Sequence, residues 1–287
     1  MMQKAIKLFN YLSGLVILIA ILLIYPFFLV RLHPVNGTRL GHFSANVEIH
    51  LCERKLKINQ IRENEIVFSF YVLNPNGASI CNKQLDRMWQ RVFRIYNSFP
   101  LHFTYKLITK LSQIMPILKK FIIEPMGSAS DPNSLIDKFK PSLSFTKSEE
   151  EEGQLVLNKL GINKNEKFVC LIIRDPSYLK KINPKDDTSY HNYRNHNIND
   201  FLLAAEFLVS KGYFVIRMGS IVEKKFITNN PKIIDYPFSN HKSEFMDIYL
   251  GAKCYFCITT QTGFDGISQI FRKPLAVIAV PVAIRIS

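Results

Sequence analysis

One stretch constrains the fold more than any other. Lys167–Ile173 (KFVCLII) is a nearly unbroken apolar run, as expected of a strand covered on both faces. After it, strand-like and helix-like patterns alternate to the end of the chain. Ile198, Phe201, Leu202, Ala205, Leu208 and Val209 keep helical spacing, and Lys211-Gly212 closes that helix. Tyr213–Met218 and Ile233–Tyr236 read as strands, Phe245–Leu250 as a short helix, and Cys254–Thr259 as a strand. Phe264–Phe271 reads as a helix and Pro274–Val280 as a strand. Strands alternating with helices predict a parallel α/β sheet.

The first half is less regular. Phe43, Val47 and Leu51 form one helical stripe, and Glu65–Leu73 (EIVFSFYVL) is a strand stopped by Asn74-Pro-Asn-Gly77. Helices are expected over about 82–96 and 103–123, and 126–148 reads as a linker. The acidic run Glu149–Glu152 fits the first turn of a helix ending at Leu160-Gly161. The 287 residues are 47% apolar and 21% charged, which excludes a disordered or low-complexity chain.

Leu8–Val30 carries only Asn10 and Ser13 as strongly polar residues, and Ser13–Val30 has no charge. That is close to the ~20 residues of a spanning helix. No cleavage site follows, so residues 1–34 are expected to be a retained membrane anchor. The alternative is a buried helix ending near Ile24, followed by a core strand through Phe27–Val30. Residues 35–147 and 148–287 then make an N-terminal domain with linker and a C-terminal domain. The chain stops at Ser287 directly after a strand, and a C-terminal truncation is expected.

The formal charge of +14 suits anionic headgroups or a phosphorylated substrate. The basic residues are spread along the chain without a helix-turn-helix, RNP or zinc-finger pattern, so nucleic acid is not expected as a partner. Five cysteines are too few and too scattered for a disulfide scaffold. Cys254 and Cys257, three apart on a predicted strand, point to opposite faces and cannot share a metal.

In open α/β sheets ligands gather outside the carboxyl ends of strands. Three segments fall there. Arg174-Asp175 follows the KFVCLII strand, and an arginine fork suits phosphate or carboxylate. The alternative is a surface Arg–Asp pair. Arg217-Met-Gly219 ends the next strand. Thr259–Gly266 joins a strand to a helix, and Thr260, Thr262, Gly263 and Asp265 suit either an anion site or a helix cap. Arg194 and Asn195, in Tyr193–His196, touch substrate or precede a helix cap at Asn197. In the first half, Arg39, Gly41, His42, Asn46 and Glu48 crowd a helix start, with His42 and Asn46 four apart on one face.

Taken in order, these motifs resemble a bacterial family of GT-B glycosyltransferases over roughly residues 39–280. The resemblance rests on Arg39-Leu-Gly-His-Phe…Asn46-x-Glu48, the strand-end Arg174-Asp175, Tyr193-Arg-Asn, the strand ending at Arg217-Met-Gly and Thr260-x-Thr-Gly-Phe. It implies an α/β fold of two Rossmann-like domains facing a cleft, with an N-terminal apolar helix. It also implies transfer of a sugar from a nucleotide-diphosphate sugar to a glycan or lipid-linked acceptor, with no cofactor and no metal. Arg174, Asp175, Arg217, Gly219 and the 260–265 loop would hold the donor diphosphate. His42 or Glu48 would be the base. Arg39, Gly41, Asn46, Arg194 and Asn195 would contact acceptor or substrate, with the body on the cytoplasmic side of a membrane. The rival reading is a membrane-tethered, non-catalytic binder of a phosphorylated glycan or lipid.

Overall fold

The computed structural model describes residues 2–279, apart from 59, 75–76, 125–130, 132, 183–186 and 188. The chain divides into two compact units, Met1–Ser142 and Leu143–Ser287. Each is built on a parallel sheet.

In the first unit, helix α1 (Met2–Ile24) leads into β1 (Leu29–Val35), every residue of which is buried. A widened turn, His42–Asn46, opens α2 (Val47–Lys55). Then come β2 (Glu65–Tyr71), α3 (Lys83–Val92), the short β3 (Ile95–Tyr96) and α4 (Phe99–Leu111). The sheet runs β1-β2-β3, and Ile122 bridges to Leu32 on the free side of β1. Asn82 and Ser98 cap α3 and α4 by accepting from Leu85 and Leu101 N–H.

Two sequence expectations change here. The helix does end at Ile24, but the strand after it is a core strand that belongs to the first unit, so residues 1–34 are not a separate body. Among the described residues no helix is long and apolar enough to cross a membrane. Instead α1 packs along α4. Leu18 and Ile21 bury against Ile108, Leu118 and Phe121, and the Thr104 hydroxyl donates to the Gly14 carbonyl at 2.9 Å. The presumed linker also contains structure: Leu135 and Ile136 bury against Ala45, Ile49 and Cys52, so apolar contact with α2 overrides the segment's polar composition.

The second unit starts with α5 (Lys147–Lys159), whose acidic first turn is fixed by a capping box between Thr146 and Glu149. Next are β4 (Phe168–Ile172), α6 (Leu202–Ser210), β5 (Phe214–Arg217), β6 (Ile233–Asp235), α7 (Glu244–Lys253), β7 (Phe256–Thr259), α8 (Asp265–Ile270) and β8 (Leu275–Val277). The sheet order is β8-β7-β4-β5-β6, all parallel. Numbered within the unit, that is the 3-2-1-4-5 order of a Rossmann-type sheet, and its topological switch point lies between β4 and β7. β4 is central and buried along its whole length, which explains its unbroken apolar run. Cys254 ends α7 rather than starting β7. Cys254 and Cys257 are both buried and free, so the opposite-face argument does not apply to Cys254.

Candidate functional site

At the carboxyl end of β4 the backbone is cross-braced. Arg174 N–H donates to the Thr260 hydroxyl at 2.9 Å, and the Arg174 carbonyl accepts from His196 N–H at 3.2 Å. This ties the ends of β4 and β7 together at the switch point and draws the 194–197 loop over them. Arg194 Nη2 reaches the Gln261 carbonyl at 2.8 Å. Arg174, Arg194 and Thr260, far apart in sequence, therefore gather at one strand edge.

Beside them lies a pocket of about 180 Å³ at the ends of β4 and β5. Its wall includes Asp175, Asn195, His196, Asn197, Arg217 and Lys224. Arg217 Nε, His196 Nε2 and Asn195 Oδ1 are buried atoms with no hydrogen-bond partner among the described residues. A buried polar atom left unpaired costs about 1–3 kcal/mol, so three at one pocket point to a polar ligand.

Several expected ligand groups do structural work instead. Arg217 is 1% exposed, and its Nη1 donates to Asp235 at 2.8 Å and to the Lys224 carbonyl at 3.1 Å. Its Nη1 is thus engaged within the protein, while its Nε, buried at the pocket wall, has no hydrogen-bond partner among the described residues. Asp175 accepts from Ser177 N–H at 2.8 Å and Glu223 N–H at 3.0 Å, which folds the 223–224 loop over the pocket. Burial alone would raise its pKa. The Glu223 and Ser177 hydrogen bonds and the Arg217 charge overcome that, and the net shift is downward. It is a carboxylate that holds a loop, not a surface partner of Arg174. Gly219 is fixed by local packing: its φ is +157°, and a Cβ there would sit 2.5 Å from Val222 Cγ1.

The Thr259–Gly266 loop is largely self-satisfied. Asp265 Oδ2 accepts from the Thr259 hydroxyl at 3.0 Å and from Thr262 N–H at 3.1 Å. Gln261 N–H goes to Thr259 Oγ1 and Phe264 N–H to Thr262 Oγ1, each at 3.1 Å. Burial raises the Asp265 pKa against these hydrogen bonds. Only half of the expected capping box forms: Asp265 accepts from Thr262 N–H, but Thr262 Oγ1 takes Phe264 N–H, and the N-cap of the six-residue α8 is Phe264, with no side-chain cap hydrogen bond. Gly263 is exposed at the loop tip, and Thr260 is spent on bracing β4.

In the first unit, the loop after β1 carries the other candidates. Asn36 Oδ1 accepts from Thr38 N–H and Oγ1, a local turn that aims the chain into the His42–Asn46 segment. The segment is π-helical, and the buried Trp89 indole donates to its Phe43 carbonyl at 2.8 Å. Such widened turns recur at functional sites. His42 Nδ1 and Asn46 Nδ2 are 3.1 Å apart, and His42 is half-buried. Burial first, and the Arg39 charge second, lower its pKa and keep the ring neutral at pH 7. Arg39 is exposed, and Gly41 has ordinary helical φ and ψ of −62° and −42°. Glu48 is different from its neighbours: it is 0% exposed, and its Oε1 accepts Ser142 N–H at 3.1 Å. Its carboxylate anchors the chain at residue 142, so it is not a base open to an acceptor hydroxyl.

The Tyr193–His196 segment and Asn197 stood out in the sequence, but spacing gave no sign of Lys224 as a pocket residue, because the 223–224 loop is placed by its ties to Asp175 and Arg217. Among the described residues, no group of three or more His, Cys, Asp or Glu is arranged to hold a metal ion.

No protein-family model matches the sequence, and comparison with curated proteins finds no match. Among solved structures, the chain is similar to ADP-heptose LPS heptosyltransferase II from E. coli, at 10% identity and a TM-score of 0.42, over 86% of this chain and 83% of that one. So distant a likeness carries no argument about chemistry, and what this chain does must be read from its own pocket and its own helix start.

Proposed function

We propose that the protein is a glycosyltransferase of GT-B type. It moves a sugar from a nucleotide-diphosphate sugar to a glycan or lipid-linked acceptor, without a metal, on the cytoplasmic side of a membrane. The observation that carries this reading is the polar pocket at the carboxyl ends of β4 and β5, with three unpaired buried atoms in its wall. It lies outside the carboxyl ends of the strands, next to the switch point at which α/β sheets bind nucleotides. Arg217 Nε and Lys224 Nζ would donate to the diphosphate, His196 Nε2 would donate to phosphate, and Asn195 Oδ1 would accept from a ribose hydroxyl. Arg174 and Arg194 add positive charge at the neighbouring switch point.

As the sugar–phosphate bond breaks, negative charge grows on the leaving nucleoside diphosphate. Fixed cations and donors stabilise that charge more than they stabilise the bound donor, which lowers the barrier. The acceptor hydroxyl must lose a proton in the same step. His42 suits this role because its ring is neutral at working pH. The Asn46 amide nitrogen lies 3.1 Å from His42 Nδ1; the base role requires the amide turned over, its oxygen accepting from an Nδ1–H, so that the Nε2 lone pair is left for the acceptor.

The test is a thermal-shift screen of nucleotide sugars followed by a transfer assay. A stabilising nucleotide sugar should lose roughly tenfold affinity in Lys224→Ala and Asn195→Ala, as expected for one charged or buried hydrogen bond each. Binding without transfer to any glycan or lipid-linked acceptor would favour the non-catalytic binder. Absence of any nucleotide-sugar binding would sink both the pocket assignment and the enzyme.

A further inference from the structure

The two faces of α1 are the reverse of those of an ordinary surface helix. Its packed side holds the half-buried Asn10 and Ser13 beside Gly14, Leu18 and Ile21. Every exposed position from Leu8 to Phe28 is uncharged, and most are large and apolar, including Phe9, Val16, Leu23 (72% exposed) and Phe27 (70%). The turn after α4 extends this surface with Ile114 (82% exposed), Met115 and Ile117. Leu118, next to Ile117, buries in the same cluster as Leu18 and Ile21, so the turn lies beside α1. A contiguous apolar surface of this size marks a docking site.

Cations border it. Lys106, Lys110 and Lys119 are exposed on α4 and the turn. Past the end of α1, Lys120 Nζ and Arg62 Cζ lie 3.6 and 4.2 Å from the centre of the Tyr25 ring. We propose that this face docks flat on an anionic bilayer surface, with the outer side of α1 sunk into the headgroup–acyl boundary and the lysines on lipid phosphates. A spanning insertion does not fit, because α1 is packed along α4 and would carry Lys106 and Lys110 into hydrocarbon. A second copy of the chain fits worse than lipid: a symmetric contact would bring the same cations against one another, whereas anionic lipid neutralises them. The proposal is independent of the sugar-transfer reading.

Flotation of the full chain with vesicles tests it. Binding should be at least tenfold stronger to vesicles of 30% phosphatidylglycerol in phosphatidylcholine than to phosphatidylcholine alone, and alkaline carbonate should release it. The double variant Val16→Asp, Leu23→Asp changes two exposed side chains and should abolish binding without altering circular dichroism or nucleotide binding. Should that variant misfold, Ile117→Asp, on the neighbouring turn, must still weaken binding severalfold. Val16→Trp should be quenched by lipids brominated near the headgroup and not by those brominated at the chain end. Retention after carbonate, equal binding to both vesicle types, undiminished binding by the folded variants, or a salt-stable dimer that ignores vesicles would each overturn the proposal.

Discussion

The helix start at His42 and the helix start at Asp265 look alike in sequence and differ in structure. Both follow a strand end, and both are rich in polar residues. In the second, four loop hydrogen bonds consume the carboxylate, two hydroxyls and three N–H groups. In the first, the His42 ring is half-buried with Asn46 against Nδ1, and burial with Arg39 keeps it neutral. Polar density at a strand end therefore says that something must be satisfied. Only the bond inventory says whether the chain or a ligand satisfies it.

The largest expected effect separates the two. His42→Gln should reduce sugar transfer about 10²–10⁴-fold, as loss of a general base does, while leaving thermal stability nearly unchanged. Thr262→Val should do the reverse, costing about 0.5–1.5 kcal/mol of stability through the lost hydroxyl acceptor of Phe264 N–H with little effect on turnover. The acid limb of kcat/KM should lie below the ordinary histidine value of 6.5, because a base with a lowered pKa stays deprotonated further down the pH scale. An acid limb above 6.5, or full activity in the His42 variant, would remove the base assignment.

A comparable effect, read in stability, concerns Arg217. Were it an open phosphate ligand, Arg217→Met would weaken donor binding and spare the fold. Because it is buried against Asp235 at 2.8 Å, breaking the pair leaves a carboxylate without its cation and should cost about 3–5 kcal/mol. Urea unfolding followed by far-ultraviolet circular dichroism measures it. A loss under about 1 kcal/mol would mean that Arg217 serves the donor alone and not the fold as well.

How much of this was legible depends on the range of the deciding interaction. The second unit's strands, and its helices apart from Ser177–Ile182, were read within a few residues, because burial of β4 on both faces writes itself into local composition. The 103–123 helix was not. It breaks into α4 and a 3₁₀ turn over Pro116–Phe121, since Pro116 cannot continue the ladder. The membrane reading of α1 failed as a spanning helix because an apolar sequence does not show that one stripe packs on α4. For the site, position was legible and role was not. Arg174 does follow β4 and Arg217 does end β5, yet the groups they bond, Thr260 to the Arg174 backbone and Asp235 to the Arg217 side chain, are 86 and 18 residues away. Glu48 was misread for the same reason, its partner being Ser142.

Acid should distinguish the units next. In the first, His33 and His50 stack with ring centres 3.7 Å apart. Burial, then neighbouring charge, lowers His33 well below 6.5 and His50 to about 3. Below pH 6.5 the unfolded chain binds protons that these folded rings refuse, so stability falls as pH falls, by about 2 kcal/mol at pH 5 for His50 and in the same direction for His33. In the second unit, burial raises Asp247 to about 6. There the folded form binds the extra proton, and acidification from pH 6 to 5 adds about 1 kcal/mol. Trp89, the chain's one tryptophan, lies in the first unit. At pH 5 its fluorescence should report unfolding before circular dichroism is complete. Coincident transitions, or a first unit unchanged between pH 7 and 5, would break the contrast.

The smallest expected effect returns to the two motifs through their glycines. Gly41 and Gly219 both stand next to candidate site residues, and each serves either a ligand's close approach or the chain's own path. At Gly41 the backbone is ordinary right-handed helix, so Gly41→Ala asks nothing unusual of the chain and restricts the unfolded state. It should leave stability unchanged or raise it by up to about 1 kcal/mol. At Gly219 the backbone is one that side chains rarely adopt, and an added Cβ meets Val222 Cγ1 at 2.5 Å. Val222 can move, because the atom met is the end of a side chain, but the backbone strain stays. Gly219→Ala should therefore cost about 1–3 kcal/mol, and Gly219→Ala with Val222→Ala should recover only the steric part. The decisive measurement is the double-mutant cycle in urea together with donor affinity. Full recovery of stability in the double variant would mean that contact alone, and not backbone conformation, selects glycine. Weakened donor binding at unchanged stability would instead make Gly219 a ligand position, and the strand end at Arg217 would regain the role that its sequence suggested.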